Sequence, residues 1–252
     1  MKKDQTRFNI KVDTLEETDS TNNYIRNTPI PDDMDGLVVA TEYQTAGKGQ
    51  GTNHWESERG KNLLFSFKCR PYGIKASEQF LLMQAVSVGL WYALVKNSID
   101  CCIKWPNDIY TYYGDKKISG TLSECTIRNG MVYEFIAGIG INVNQTIFTS
   151  DAPNPISMAN ILGKELDRDK LLKEIIENIV RLISVLNNGD YETIRFEYFN
   201  KLYRIEDVYT YEDKDGRFEA EFENVLPNGH LVLRRTDGTL SEYEFKEVRY
   251  II

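Results

Sequence analysis

The sequence predicts an α+β fold: a mixed, largely antiparallel central sheet with its helices set apart, followed by a small β-barrel. Three observations predict it. Strand-like runs between residues 101 and 143 follow one another through hairpin signals at Gly114-Asp115 and Asn129-Gly130, the way antiparallel neighbours are joined. Helical spacing is gathered into blocks at 76–97 and 157–203 rather than alternating with each strand, the pattern of α+β rather than α/β. Beyond about residue 204 come short alternating runs punctuated by Asp215-Gly216, Pro227-Asn228-Gly229 and Asp237-Gly238, the spacing of a small barrel.

Residues 8–15 alternate as a first strand. Asp19-Ser20-Thr21 offers N-cap chemistry to a short helix at 22–26. Residues 37–43 are apolar and β-branched, a buried strand. Residues 44–55 carry three glycines and no apolar period, so they read as a long loop, either functional or disordered. A strand is expected at 62–69. At 76–97, Phe80, Met83, Gln84, Ser87, Leu90, Trp91, Leu94 and Val95 fall at helical spacing; this main helix turns its stripe to the core. Strands follow at 101–105, 109–113, 117–127 and 131–143, then helices at 157–162, 169–187 and 191–203. The tail contributes strands at 208–211, 218–225, 230–235 and 240–245. A boundary near 202–207 gives units 1–203 and 204–252; with no Pro/Gly/Ser linker there, the two are expected to pack closely.

Composition excludes several classes. A formal charge of −8 over 252 residues argues against nucleic-acid binding by electrostatics alone. The sequence offers no apolar run of the roughly 18–20 residues that a membrane span needs, and the amino terminus has no apolar core of a secretory signal. The four cysteines, Cys69, Cys101, Cys102 and Cys125, form no C-x-x-C pair, and neighbours on a strand point to opposite faces. Free thiols in a reduced cytoplasmic core are the reading. With only His54 and His230, a histidine-rich metal centre and a histidine-based triad are both disfavoured. No metal-ligating set is assigned.

The chemistry concentrates in a few motifs. Lys104-Trp105-Pro106-Asn107-Asp108 lies between two strand-like runs. Pro106 fixes the corner, and a lysine held there is a fixed cation suited to reactions that build negative charge, although a strand-end lysine is also commonly just solvated. Asn107 and Asp108 either brace a turn or bind a nucleotide. Gly47-Lys48-Gly49-Gln50-Gly51 lets backbone N–H groups approach an anion, but it lacks P-loop and Rossmann spacing and by itself reads equally as a mobile surface loop. Trp55 at its end is either a stacking face or a core aromatic. Gly120 and Gly138-Ile139-Gly140-Ile141-Asn142 place glycines inside strands, which weakens a strand unless something approaches its backbone closely.

Taken in order, Asp19-Ser20-Thr21-Asn22, Glu42-Tyr43-Gln44, the glycine loop, Trp55, Lys104-Trp105-Pro106-Asn107-Asp108, Lys117-Ile118-Ser119-Gly120 and Gly138-Ile139-Gly140-Ile141-Asn142 resemble the biotin protein ligases. The tail, closing on Glu247-Val248, resembles that family's SH3-like carboxy-terminal domain, and the start at the catalytic strand resembles the form without an amino-terminal DNA-binding domain. The resemblance implies a biotin/lipoate ligase-like catalytic domain that activates biotin with ATP and Mg2+, then transfers it to a lysine of a biotin carboxyl carrier protein. It implies a biotin site of Ser20, Thr21, Asn22, Gln44, Gly47, Lys48, Gly49, Gln50, Lys104, Gly120, Gly138 and Gly140. Trp55, Asn107, Asn142 and Lys104 are implied to bind ATP. Lys104, Lys48 and Asp108 are the implied catalytic residues, with Lys104 as the central cation. The family's loop commonly reads G-R-G-R-x-G-R-x-W; here only Lys48 keeps a charge at the arginine positions, and lysine or glutamine does not reproduce bidentate arginine contacts. An adenylate held less tightly is the expectation. A lipoate or octanoate ligase of the same superfamily and a non-catalytic biotin sensor are the alternatives. Exposed strand edges of the central sheet leave a homodimer open.

Overall fold

The computed structural model describes residues 8–49, 51, 54–150, 152 and 154–251. The central sheet has seven strands in the order β1-β2-β3-β7-β6-β5-β4: β1 (Ile10–Leu15), β2 (Gly36–Thr41), β3 (Leu63–Cys69), β4 (Cys101–Lys104), β5 (Asp108–Thr111), β6 (Lys117–Arg128) and β7 (Met131–Ile141). β1 runs parallel to β2; every other neighbouring pair is antiparallel, as the hairpin signals require.

Helix α1 (Thr21–Asn27) covers one face of this sheet and α2 (Phe80–Lys96) the other, with α4 (Arg168–Asn187) and α5 (Tyr191–Phe199) packed outside α2 and α3 (Met158–Leu162) a single short turn. β2 and β3 are buried along their whole length because both faces are covered, so they read as continuous apolar runs. The stretch Ala76–Lys96 is, contrary to expectation, long and apolar enough to cross a membrane, but 67% of its 18-residue apolar window is buried inside the fold. It is apolar on all sides because it sits between the sheet and α4 and α5.

The tail forms a second antiparallel sheet in the order β11-β10-β9-β8-β12. Its strands are β8 (Val208–Asp213), β9 (Gly216–Val225), β10 (Leu231–Arg235), β11 (Leu240–Tyr243) and β12 (Arg249–Tyr250). Tyr211, Leu231 and Leu233 belong to the same buried core as the central sheet and α2, so the two parts are packed together. Trp105 is the main rivet: its Nε1–H donates to Gly229 O at 3.0 Å and its ring meets Phe245 edge-on at 5.7 Å.

Three elements differ from expectation. The main helix opens as a 3-10 turn (Ala76–Glu78) before α2 proper. The last helix stops at Phe199, because the chain beyond it pairs with β4: Ile103 N–H donates to Lys201 O at 2.7 Å and Tyr203 N–H to Ile103 O at 2.9 Å. β12 was not foreseen; two residues carry no periodicity.

Candidate active site

The register of β6 against β7 sets Gly120 opposite Gly140 and Leu122 opposite Gly138. Three positions without side chains on one sheet face make a trough, and the neighbours close onto it. A Cβ at Gly138 would stand 2.1 Å from Asn22 Oδ1, and one at Gly140 2.5 Å from Trp55 Cε2; at Gly120 it would meet Trp55 Cζ3 at 3.2 Å. The glycines are there so that an amide and an indole can lie on bare backbone. The resulting cleft holds about 630 Å³, the size of a small-molecule site.

One wall is the start of α1. Ser20 occupies the N-cap position in extended conformation, yet its side chain makes no capping bond; it lines the cleft instead. Thr21 N–H and Thr21 Oγ1–H donate to Gln44 Oε1 at 2.8 and 3.2 Å. From β3 below, Ser66 Oγ lies 2.8 Å from Thr21 Oγ1 and 2.5 Å from Asn22 Oδ1. Lys68, buried one pleat further along β3, donates to Ile25 O, Arg26 O and Thr28 O at 3.3, 3.4 and 3.0 Å and pairs with Glu134 at 3.0 Å. A short helix that would be marginal alone is thus held at both ends.

The opposite wall is charged. Lys117 Nζ donates to Asp108 Oδ2 at 2.6 Å and lies 6.0 Å from the Trp55 ring centroid. Asn107 Nδ2–H donates to Thr121 O at 2.8 Å, bracing the corner that begins with a cis Trp105–Pro106 peptide. Asn142 closes the floor, its N–H donating to Ile118 O at 2.9 Å.

Two segments form the roof. At the two ends of the glycine loop, Lys48 bridges His54 and Trp55 N–H donates to Gly47 O at 3.1 Å. Lys48 and Gly49 line the cleft, with Lys48 Nζ donating to Asn23 Oδ1 at 3.4 Å. The second segment, in its described residues 143–150, 152 and 154–155, brings Phe148, Ser150 and Asn154 to the rim. Within the site, Trp55 Nε1 and Thr121 Oγ1 are buried with no hydrogen-bond partner among the described residues.

Most of the residues singled out from sequence therefore converge: Ser20, Thr21, Asn22 and Gln44 on one wall, Asn107 and Asp108 on the other, Gly120, Gly138, Gly140 and Asn142 below, Lys48, Gly49 and Trp55 above. Gly47 accepts the Trp55 N–H without lining the cleft, and Gln50 lies outside the described residues. Lys104, expected as the central cation, is not among the residues that line the cleft. Its Nζ sits over the rings of Tyr110 and Tyr250 at 4.7 and 5.1 Å, 3.4 Å from Tyr110 Oη. Burial there pulls its pKa below the ordinary lysine value.

The cation facing the cleft from this side is Lys117, whose charge the sequence reading left unused. Strict alternation from Gly120 sends residue 117 to the far face. A register shift between Ile109 and Tyr110 in the β5–β6 pairing interrupts that alternation and lands the ammonium beside Asp108. Glu56 and Tyr110 were also not foreseen as lining residues.

The model of the biotin/lipoate A/B protein ligase family matches residues 14–142. The bifunctional ligase/repressor BirA of Bacillus subtilis is 33% identical over 172 residues, covering 65% of this chain and 50% of BirA. The biotin--[acetyl-CoA-carboxylase] ligase of Mycobacterium tuberculosis is 23% identical over 185 residues, covering 71% of this chain and 66% of that protein. The chain spans about half the length of the BirA proteins it matches. In fold it superposes on the biotin protein ligase of Aquifex aeolicus, solved with biotin and ATP, with a TM-score of 0.77 at 23% identity, over 96% of this chain and 99% of that one. The matched stretch runs from β1 through β7 and includes α1, the glycine floor and the Asp108–Lys117 wall, so in the part that builds its cleft this chain is a member of the biotin/lipoate A/B protein ligase family.

Proposed function

We propose that the cleft joins biotin to ATP as biotinyl-AMP, releasing pyrophosphate, and then passes the biotinyl group to a lysine amine of a biotin carboxyl carrier domain. The observation that carries the reading is the glycine floor leading to the Asp108–Lys117 wall: a slot for a flat, largely apolar ring system that ends at a cation. Relatives named as biotin ligases, and the Aquifex protein holding biotin and ATP, support it.

On this reading the ring system of biotin lies on Gly138 and Gly140, with Thr21, Asn22 and Gln44 supplying hydrogen bonds to its polar edge. Its carboxylate points to Lys117, and Lys48 comes down from the roof. In the first step the carboxylate oxygen attacks the α-phosphorus of MgATP and pyrophosphate leaves. Charge grows on the α-phosphate oxygens, and Lys117 and Lys48 offset it; a positioned cation contributes several kcal/mol in such steps, roughly 3–4 for one strong donor. Mg2+ enters with the triphosphate as part of the substrate. Trp55 offers adenine a stacking face and Asn142 a polar contact on the nucleotide side. In the second step the acceptor amine attacks the mixed anhydride and AMP leaves. Asp108, 2.6 Å from Lys117 Nζ, orients the incoming amine and receives its proton. No protein nucleophile is required, and alignment of the two substrates supplies much of the remaining rate. The free thiols fit a reducing compartment, and we place the reaction in the cytoplasm.

The test is ATP–pyrophosphate exchange with biotin, lipoate or octanoate as the only acid. Exchange with biotin alone is expected. Exchange with lipoate or octanoate but not biotin would transfer the chain to the other branch of its family. Saturable biotin binding without exchange would make it a sensor.

A further inference from the structure

The two segments of the roof, before and after Glu56 and around Thr149, lie about ninety residues apart in sequence, and among the described residues no strand pairing joins one to the other. What joins them is one carboxylate. Glu56 Oε1 accepts from Thr149 N–H at 2.8 Å, from Thr149 Oγ1–H at 3.2 Å and from Gln145 Nε2–H at 3.3 Å. Glu56 Oε2 accepts from Ser150 N–H at 2.9 Å. Two successive backbone amides thus converge on a single side chain.

Behind it lies a buried relay. Gln145, 2% exposed, takes hydrogen bonds on Oε1 from Glu58 N–H at 2.9 Å and Asn62 Nδ2–H at 2.7 Å. Asn62 Oδ1 in turn accepts from Val143 N–H at 2.9 Å. The side-chain polar atoms of Glu56, Gln145 and Asn62 all have partners, the condition under which a buried network makes a structure rigid. Glu56 directly follows Trp55, and Thr149 and Ser150 directly follow Phe148, so the carboxylate fixes the distance between two aromatic rings at the cleft. Burial alone would raise the Glu56 carboxyl, but the hydrogen bonds from Ser150 and Thr149 bring it below its ordinary value, so the clamp is charged at neutral pH.

We infer that Glu56 is a positioning residue that binds the two roof segments into one unit and thereby sets affinity for the nucleotide half of the reaction. This rests on the proposed ligase reading. A purine needs an aromatic face at a fixed height; the polar edge of biotin faces α1, which Glu56 does not touch, and Lys48 is the part of the roof that reaches its carboxylate end.

The discriminating variant is Glu56→Gln. It keeps the shape and one oxygen but turns an NH2 group toward a donor, so either the Ser150 amide or the Thr149–Gln145 set loses its acceptor. Two measurements on the full chain are paired. Amide hydrogen exchange without substrates is expected to speed up at Thr149 and Ser150 by about tenfold, the effect of losing one charge-assisted hydrogen bond. In biotin-dependent pyrophosphate exchange, KM for ATP is expected to rise about tenfold, with KM for biotin and kcat changed less than about threefold. Glu56→Asp, with the charge but not the reach, is expected to lie between. Unchanged protection at Thr149 and Ser150 overturns the clamp whatever the substrates are. Equal rises in both KM values, or a fall in kcat alone, overturn its link to the nucleotide. If the wild type exchanges no pyrophosphate with biotin while amide protection still depends on Glu56, the ligase reading fails and the clamp stands as a structural finding alone.

Discussion

The floor and the roof of the cleft are built by different physics. The floor is sheet: Gly120, Gly138 and Gly140 are placed by the β6–β7 register, and the backbone ladder supplies the rigidity. A register cannot slip by one residue without turning every side chain to the other face, so three glycines on one face are a durable arrangement. The roof is two loop segments joined through side chains, chiefly Glu56 and Gln145. On the proposed reading the floor takes biotin and the roof takes the nucleotide. The contrast therefore predicts where each substitution will be felt.

The largest expected effect is on the wall that joins the two halves. Lys117→Ala removes the cation at the reacting end and is expected to lower the rate of biotin-dependent pyrophosphate exchange by roughly 10²–10³-fold, the loss of about 3–4 kcal/mol of electrostatic stabilisation. Lys104→Met is the control, keeping length in the Tyr110–Tyr250 cradle while removing charge. It is expected to stay within about threefold of wild type, as a lysine that reaches neither substrate should. If Lys104→Met is the more damaging of the two in a single-turnover assay, the assignment of the working cation to Lys117 is wrong.

Next comes the floor. Gly138→Ala puts a methyl group where Asn22 Oδ1 stands, and Asn22 cannot simply swing aside because Ser66 holds it from below. Biotin affinity by calorimetry is expected to fall about 10–100-fold, with ATP binding nearly unaffected, since overpacking a fixed site costs about 1–3 kcal/mol. Comparable losses for both ligands would mean that floor and roof are not energetically separate.

The same contrast explains what was legible in the sequence. Floor glycines stand out because glycine inside an apolar strand is locally wrong, and so invites a reason. Ser20, Thr21 and Asn22 stand out as helix-start chemistry. The two lysines could not be sorted that way. Lys104 follows a clear strand and precedes a rigid corner, so it looks fixed and functional. Lys117 opens a strand and looks like an ordinary end residue. Which of them faces the cleft depends on a one-residue register shift between β5 and β6, and a shift is a property of two strands together that neither segment announces. Glu56 was missed for a related reason: its partners, Thr149 and Ser150, lie 93 and 94 residues away in a stretch without periodicity. The split into 1–203 and 204–252 followed from a change in strand spacing, and the missing Pro/Gly/Ser linker pointed to close packing, but which residues, such as Tyr211 and Leu233, join the common core left no local trace.

The smallest effect expected is at the tip of the roof. Only Lys48 carries a charge where the family's loop commonly has arginines, and its Nζ reaches Asn23 Oδ1 at 3.4 Å from an exposed position. A single flexible ammonium is a weaker clamp on a phosphate than a guanidinium fork. Gln50→Arg restores one fork next to Gly49, a cleft residue. Release of preformed biotinyl-AMP, followed by stopped-flow Trp emission, is expected to slow about three- to tenfold, the worth of one partly screened charge-assisted contact of about 0.7–1.4 kcal/mol. KM for biotin should hardly move, because the floor is untouched. An unchanged release rate would mean that retention of the intermediate is governed by the Glu56 clamp rather than by charge in the glycine loop. Gln50→Arg in a Glu56→Gln background then separates the two. Independent contributions add in the logarithm of the rate, whereas a roof that acts as one unit loses the benefit of the arginine once the clamp is open.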